Sequence, residues 1–233
     1  MTGQARSADG GVPALRLPVG PLGLDGELAL PPDARALIVF AHGSDSSHAS
    51  PRNRQVAQAL QACGLGTLLF DLLRPDEAAE RARVFDAGLL GRRLVEVLDW
   101  IDGQPALARL PVGLFGASTG AAAALVAAAA RPERVFAIVS RGGRPDLAAS
   151  ALPRVKSPTR LIVGARDAAV LERNRWARKA LDGNAELSVI PGATHLFEEA
   201  GALQQVAGRA AEWFLAQLQR RRPRPAAGTA LAG

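Results

Sequence analysis

The sequence predicts an α/β fold, in which a mostly parallel sheet lies between two layers of helices as a three-layer α/β/α sandwich. Two observations support this prediction. Short, continuous apolar runs, typical of strands covered on both faces, alternate with helix-length segments along most of the chain. Such alternation is typical of right-handed connections between parallel strands. The length of 233 residues suits one domain, which we expect over residues 13–222.

The chain is expected to begin with an antiparallel pair, because residues 14–17 and 26–30 alternate and are separated by Gly and Pro. The strands that follow are expected at the apolar runs 36–41, 67–70, 112–115, 135–139, 161–163 and 187–190. Helical spacing of apolar residues predicts helices at 52–62, 87–103, 119–131, 170–181 and 202–221. Residues 1–12 and 223–233 are small and polar, so we expect both ends to be disordered.

Composition excludes several partners. The net charge is +6, but part of the excess lies in four arginines at residues 220–224, and the sequence has no Tyr for base stacking, so we expect no nucleic acid partner. The longest apolar stretch, residues 121–130, is half as long as a membrane span, so we expect no membrane partner. The single cysteine, Cys63, cannot form an internal disulfide and no secretory signal pattern opens the chain, which predicts a cytoplasmic location.

Residues 116–120, Gly-Ala-Ser-Thr-Gly, stand between an apolar run and an alanine-rich helical segment. This context predicts a sharp strand-to-helix turn that exposes the hydroxyl of Ser118 as a nucleophile. Gly116 and Gly120 are expected because larger side chains would collide in so tight a turn. The backbone N–H of Thr119, at the start of the helix, would then point at an oxyanion formed when Ser118 attacks a carbonyl.

Two candidate partners of Ser118 follow later strands of the predicted sheet. Asp167 comes shortly after the run 161–163, and His195 follows the run 187–190 through a short loop. The carboxyl ends of parallel strands meet at one edge, where functional residues collect. His195 would take the proton of Ser118 as a general base, and Asp167 would orient the imidazole. Asp71, which ends its own strand, is an alternative acid.

Four further residues are candidates for the same edge. Ser44 follows the run 36–41, and its backbone N–H would complete the oxyanion hole. His42, in the same loop, either helps to shape this hole or is satisfied by hydrogen bonds within its own loop. His48 either lines the substrate pocket or faces solvent. Arg141, after the run 135–139, either holds a substrate carboxylate or is a surface arginine that pairs with an acid at 133 or 146.

The elbow around Ser118, together with Asp167, His195 and the His-Gly-Ser segment 42–44, makes the chain resemble an α/β-hydrolase over about residues 14–222. In size, and in the segments 42–53 and 191–199, it is similar to the dienelactone hydrolase-like group. True dienelactone hydrolases have cysteine at the elbow, so the resemblance does not extend to their lactone substrate. Only residues 140–159 separate two strands between which many relatives insert a lid, so we expect no lid domain. Members that resemble this group also occur fused to phosphoribosyltransferase domains; the sequence has no paired-acid ribose-phosphate motif, and we expect no such domain.

These residues together predict a serine hydrolase that cleaves a small-molecule carboxylic ester or thioester through an acyl-enzyme on Ser118. No metal ion or cofactor is expected to take part. Transfer of the acyl group to an acceptor other than water would use the same residues, and a non-catalytic binding module on a hydrolase fold is a third possibility. The sequence does not distinguish hydrolysis from acyl transfer, and it does not determine the oligomeric state.

Overall fold

One eight-stranded sheet forms the centre of the computed structural model, which describes residues 11–221. In chain order its strands are β1 (Ala14–Val19), β2 (Leu24–Ala29), β3 (Leu37–Ala41), β4 (Gly66–Phe70), β5 (Val112–Ala117), β6 (Val135–Arg141), β7 (Thr159–Gly164) and β8 (Ala185–Ile190). Across the sheet they lie in the order β1-β2-β4-β3-β5-β6-β7-β8.

The pairing of the strands confirms the predicted mostly parallel sheet. β2 pairs antiparallel with β1 and with β4, whereas all neighbours from β4 through β8 pair in parallel. β5 and β6 extend two residues beyond the apolar runs that predicted them. Ala117 and Arg141 stand in register at these ends. Their ladder therefore continues to the edge of the sheet where the candidate site residues lie.

Seven helices surround the sheet in the described part of the chain: α1 (Pro51–Ala62), α2 (Pro75–Ala78), α3 (Arg81–Val84), α4 (Ala87–Asp102), α5 (Thr119–Ala130), α6 (Ala168–Ala180) and α7 (Ala202–Arg221). α1 and α7 share one apolar core with one face of the sheet. α4 and α5 share another core with the opposite face, and α6 packs beside them. The predicted three-layer sandwich is therefore confirmed. Sequence periodicity missed α2 and α3, since four residues are too few to show it.

Small side chains let α4 and α5 pack closely. A Cβ atom built on Gly91 of α4 would lie 2.4 Å from Cγ1 of Val126 on α5. The alanines of α5 at 121–124 and at 127 and 128 are fully buried between α4 and the sheet. This packing fixes the N-terminus of α5, which begins directly after Ser118.

No lid is present between β6 and β7 in the described chain. The connection forms only two short 3₁₀ helices, at Pro145–Ala148 and Leu152–Arg154. Ala148 and Leu152 are buried in the core shared with α5, so this connection lies flat on the domain. The carboxyl ends of the strands are therefore not covered by a separate helical layer there.

The structure describes neither residues 1–10 nor residues 222–233, so the predicted disorder of 1–12 and 223–233 and the domain bounds 13–222 stay predictions. Within residues 11–221, none of the helices has the length and apolar character needed to cross a membrane.

Candidate active site

Ser118 occupies a strained turn between β5 and α5. Its φ of 50° and ψ of −117° place it in a region that residues other than glycine rarely adopt. A Cβ atom on Gly116 would lie 2.4 Å from Cα of Ala121, and one on Gly120 would lie 2.1 Å from the carbonyl oxygen of Ala41. Glycine is therefore required on both sides of Ser118. The strain is consistent with a turn that projects a side chain away from the sheet.

The side chain of Ser118 takes no part in the helix that follows it. Ser118 occupies the N-cap position of α5, yet its hydroxyl makes no capping hydrogen bond. Its backbone is held instead by the neighbouring strand, because its N–H donates to the carbonyl of Arg141 at 3.1 Å and its own carbonyl accepts from the N–H of Arg144 at 3.0 Å. The hydroxyl is therefore presented at the edge of the sheet.

Asp167 and His195 are in direct contact. Oδ2 of Asp167 lies 2.6 Å from Nδ1 of His195, which identifies Nδ1 as the protonated ring nitrogen that donates to the carboxylate. Asp167 occupies the N-cap position of α6 but makes no side-chain capping bond, so its carboxylate serves the histidine and not the helix. The structure thus brings together the acid and the histidine that sequence reasoning paired, each at the end of its strand.

His195 stands beside the strand that supports Ser118. The Cβ position of Gly142, directly after β6, is 3.4 Å from Nδ1 and from Cε1 of the imidazole. Gly142 has a φ of 53°, a conformation that favours glycine, and a Cβ atom there would be in van der Waals contact with the ring. No hydrogen bond joins the Ser118 hydroxyl to His195 in the described structure, and such bonds commonly shorten only when a substrate is bound.

Sequence reasoning missed the residues that hold the His195 loop. Phe197 has a φ of 57° and is 1% exposed in the core beneath α7, so it anchors the loop despite a strained backbone. Oε1 of Glu199 accepts a 2.9 Å hydrogen bond from the backbone N–H of Thr194. Hydrogen bonding from the Thr194 side chain first, with a smaller contribution from this backbone N–H, holds the pKa of Glu199 below its usual value. In the sequence, the only signal for Phe197 and Glu199 was that they lie close to His195. That closeness predicts neither the burial of Phe197 nor the hydrogen bond of Glu199.

A pocket opens beside Ser118 on the side of β3 and β4. The empty space in it, including space that is open to solvent, is about 530 Å³. Ser44 and Thr119 both line it, as do Gly43 and residues of the connection between β4 and α4, among them Pro75, Ala78 and Val84. The Cβ position of Gly43 lies 3.2 Å from Cβ of Ser118, so the Ser44 loop runs directly past the serine. The two residues predicted to supply oxyanion N–H groups therefore share the pocket wall.

His42 also lines this pocket, but both of its ring nitrogens are engaged within the protein. Nδ1 donates to the carbonyl of Gly43 at 2.9 Å, and Nε2 accepts the backbone N–H of Leu72 at 3.0 Å. Burial lowers the pKa of His42, in agreement with a neutral ring that accepts a hydrogen bond. The geometry favours the alternative in which His42 satisfies its own loop, and leaves no ring nitrogen for a polar substrate contact.

His48 and Asp71 form a second histidine–aspartate pair. Oδ2 of Asp71 lies 3.0 Å from Nδ1 of His48, while Oδ1 accepts the backbone N–H of His48 at 2.6 Å. His48 was expected either to line the substrate pocket or to face solvent. Its side chain is part-buried and is not among the residues that line the pocket, so neither alternative describes it fully. Asp71 lines the pocket but contacts His48, and it is Asp167 that contacts His195.

Arg141 was predicted either to hold a substrate carboxylate or to be a surface arginine, and the structure does not place it on the surface. It is the last residue of β6 and only 8% exposed. Asp146, its expected surface partner, pairs with Arg144 at 2.7 Å and lies 3.7 Å from Arg173. That pairing was wrong because β6 continues two residues beyond its apolar run and carries Arg141 under the neighbouring loops.

The described residues hold no group of three or more His, Cys, Asp or Glu side chains placed to bind a metal ion.

Comparison with known proteins relates the whole described domain to one family. No protein-family model matches the chain. Two curated proteins from strains CDC 1551 and H37Rv of Mycobacterium tuberculosis, described as "putative phosphoribosyl transferase", are each 56% identical over 199 residues, or 85% of this chain. The chain spans less than half of their length, 45%.

The chain is also similar to proteins of known structure. A dienelactone hydrolase from Anabaena variabilis is 54% identical, with a TM-score of 0.83, and the match covers 88% of this chain and 97% of the other. An esterase from Pyrococcus furiosus has a TM-score of 0.72 at 16% identity, over 94% of this chain and 96% of the other, which shows a common fold. The identity to the Anabaena variabilis protein over nearly its whole length, together with the eight-stranded sheet, shows that this chain belongs to the dienelactone hydrolase-like group of the α/β-hydrolase superfamily.

Proposed function

We propose that the chain is a serine hydrolase that cleaves carboxylic esters or thioesters through an acyl-enzyme on Ser118. The observation that carries the proposal is the 2.6 Å contact between Asp167 and His195 at the sheet edge where Ser118 stands in its strained turn. Ser118 and Asp167 each occupy the N-cap position of a helix, yet neither side chain makes a capping hydrogen bond. Family membership supports the same reaction class.

The reaction follows from the chemistry of these groups. Ser118 attacks the carbonyl carbon of the ester while Nε2 of His195 takes the hydroxyl proton, because Nδ1 already carries the proton that binds Asp167. The backbone N–H groups of Thr119 and Ser44 stabilise the negative charge on the carbonyl oxygen. His195 then protonates the leaving alcohol or thiol, and a water molecule activated by His195 releases the acid from Ser118.

The surroundings of Ser118 favour a short or accessible substrate. The connection between β6 and β7 supplies no lid, and the pocket beside Ser118, which is open to solvent, takes one part of an ester. Ser118 stands where true dienelactone hydrolases have cysteine, so we propose no lactone substrate on the strength of the Anabaena variabilis relative. Acyl transfer to another acceptor needs the same residues and is the second candidate reaction.

Phosphoribosyl transfer is not the function that this site supports. That description belongs to relatives of which this chain spans 45%. The residues gathered at Ser118 are those of acyl chemistry. We place the reaction in the cytoplasm, because the one cysteine of the chain, Cys63, is free and can form no disulfide within it.

A fluorophosphonate probe tests the nucleophile directly. We expect a single adduct on the peptide that contains Ser118, and none in Ser118→Ala. Hydrolysis of chromogenic esters of graded acyl length, with matched thioesters and amides, then defines the bond that is cleaved, and added alcohols reveal transfer as a new ester product. Equal labelling of wild type and Ser118→Ala, or unchanged turnover in that variant, would refute the assignment.

A further inference from the structure

Arg141 is the only buried arginine in the part of the chain that the structure describes, and it has no acidic partner there. Arg93, Arg134 and Arg160 pair with carboxylates at 2.7 Å, 2.6 Å and 3.0 Å respectively. Arg141 makes no ion pair and no side-chain hydrogen bond within residues 11–221, although it is only 8% exposed. Its Nη1 is fully buried with no partner at all. A buried cation without a counter-charge is costly unless a ligand supplies one.

The guanidinium is charged at neutral pH in spite of its surroundings. Burial lowers the pKa of Arg141 to about 10, and the charge of Arg52 lowers it further in the same direction. A value of about 10 still leaves the group almost wholly protonated at neutral pH. Arg141 therefore presents a positive charge, and nothing in the described structure neutralises it.

The position of Arg141 relates this charge to Ser118 and His195. Arg141 lies in register with Ala117, which precedes Ser118, and its carbonyl holds the Ser118 backbone. The next residue, Gly142, supports the His195 ring. On its other side Arg141 lies in register with Ile162, which belongs to the core beneath α1 and α7, so the guanidinium stands on that face of the sheet.

The N-terminus of α1 adds further positive potential on the same face. α1 is twelve residues long and begins at Pro51, and its second residue is Arg52. Nε of Arg52 is buried without a partner in the described residues, as Nη1 of Arg141 is. Glu198 pairs with Arg52 at 3.1 Å but is largely exposed, and it makes no contact with Arg141. Two buried guanidinium nitrogens, one on β6 and one at the start of α1, therefore lack partners in the described residues, and the charge of Arg52 is close enough to lower the pKa of Arg141.

We propose that Arg141, with Arg52 and the N-terminus of α1, binds a carboxylate carried by the ester substrate. The pocket described above lies over β3 and β4, whereas Arg141 lies on β6, on the other side of Ser118. A substrate would then place one group in the pocket and a carboxylate at Arg141, with the scissile carbonyl between them. This proposal rests on the proposed function and deepens it, since it names anionic esters as the substrate class.

Binding is tested without catalysis, in Ser118→Ala protein. We expect glutarate to raise the melting temperature by several degrees and the uncharged glutaramide to leave it unchanged. Adding Arg141→Met should abolish the glutarate effect, while Arg144→Met, which removes the same charge from a nearby arginine paired with Asp146, should keep it. Equal stabilisation by glutarate with and without Arg141 would overturn the proposal, as would an absence of stabilisation in Ser118→Ala itself.

Two variants of Arg141 separate a ligand from a structural role. Arg141→Met should melt no lower than wild type in the absence of ligand, because it removes an unpaired buried charge, and Arg141→Lys should retain part of the glutarate response. Loss of folding in both variants would show that the guanidinium has a partner within the protein, which would overturn the proposal.

Kinetics then locate the carboxylate on the substrate. The acyl arm compares 4-nitrophenyl hemiglutarate with its neutral methyl ester, and the alcohol arm compares 4-acetoxybenzoate with its methyl ester. In one of the two arms Arg141→Met should raise KM for the anionic ester by roughly 10–150-fold and change that for the neutral ester less than about 3-fold. Equal changes for both members of each pair would refute the proposal. If no ester is cleaved and Ser118 is not labelled, the proposed function fails, whereas the glutarate result still stands by itself.

Discussion

Two histidine–aspartate pairs stand at the same edge of the sheet, on opposite sides of Ser118. Nδ1 of His195 lies 2.6 Å from Asp167, and Nδ1 of His48 lies 3.0 Å from Asp71. In both pairs the aspartate follows a parallel strand and the imidazole has Nε2 free of any hydrogen bond within the described residues. A list of distances alone would therefore suggest two candidate bases.

Their surroundings differ. Oδ1 of Asp71 also accepts the backbone N–H of His48, so the Asp71 carboxylate closes the loop that carries Ser44. The His48 side chain is 19% exposed, whereas that of His195 is 39% exposed beside Gly142. We infer that Asp71 positions a loop and that Asp167 orients a base. A histidine–aspartate contact alone therefore does not identify a catalytic base, because the role of the histidine also depends on what surrounds its Nε2.

The largest expected effect comes from Asp167→Asn. An amide at residue 167 favours the wrong tautomer of His195, so kcat for a neutral ester should fall by about 10³–10⁴-fold with the fold intact. Stopped assays on purified protein, with circular dichroism as a check of folding, measure this. The matched change Asp71→Asn should cost less than about 10-fold, and the reverse ranking would transfer the orienting role to Asp71.

Stability should separate the two pairs in the opposite sense. Asp71→Ala removes the acceptor of two hydrogen bonds to His48, one of them from a part-buried backbone N–H. We expect the free energy of unfolding to fall by about 1–3 kcal/mol. Urea denaturation of Asp71→Ala and Asp167→Ala compares the two directly. A larger loss in the Asp167 variant would mean that the acid next to His195 is primarily structural.

A smaller effect is expected on the pH dependence of stability. Burial lowers the pKa of His42 in the folded protein, so the unfolded chain takes up a proton at a higher pH than the folded one. The stability that the neutral His42 ring contributes is complete above the pKa of histidine in the unfolded chain, about 6.5. It is lost as the pH falls below that pKa. The free energy of unfolding should therefore decline from about pH 7 to about pH 5. His42→Gln, which keeps an acceptor for the Leu72 N–H, should show a shallower decline; an identical slope would exclude His42 as its source.

The sequence by itself determined the framework of this site. Gly116 and Gly120 flank Ser118 between an apolar run and an alanine-rich segment, a context that is typical of a tight strand-to-helix turn. The order of strands, helices and strand-end residues follows from periodicity along the chain. Each of these features is local, because hard-sphere sterics and the repeat of a strand or helix act within a few residues.

Only the tertiary structure decided which groups meet. Asp71 and Asp167 look alike in the sequence, and His48 and His195 are separated from them by 23 and 28 residues. The burial of Arg141 and of Phe197 depends on elements that pack over them, α1 and α7 among these. Contacts of this kind depend on how the strands are connected and on which helices cover each face of the sheet. No short window of sequence contains this information, because burial is a property of the whole packed domain.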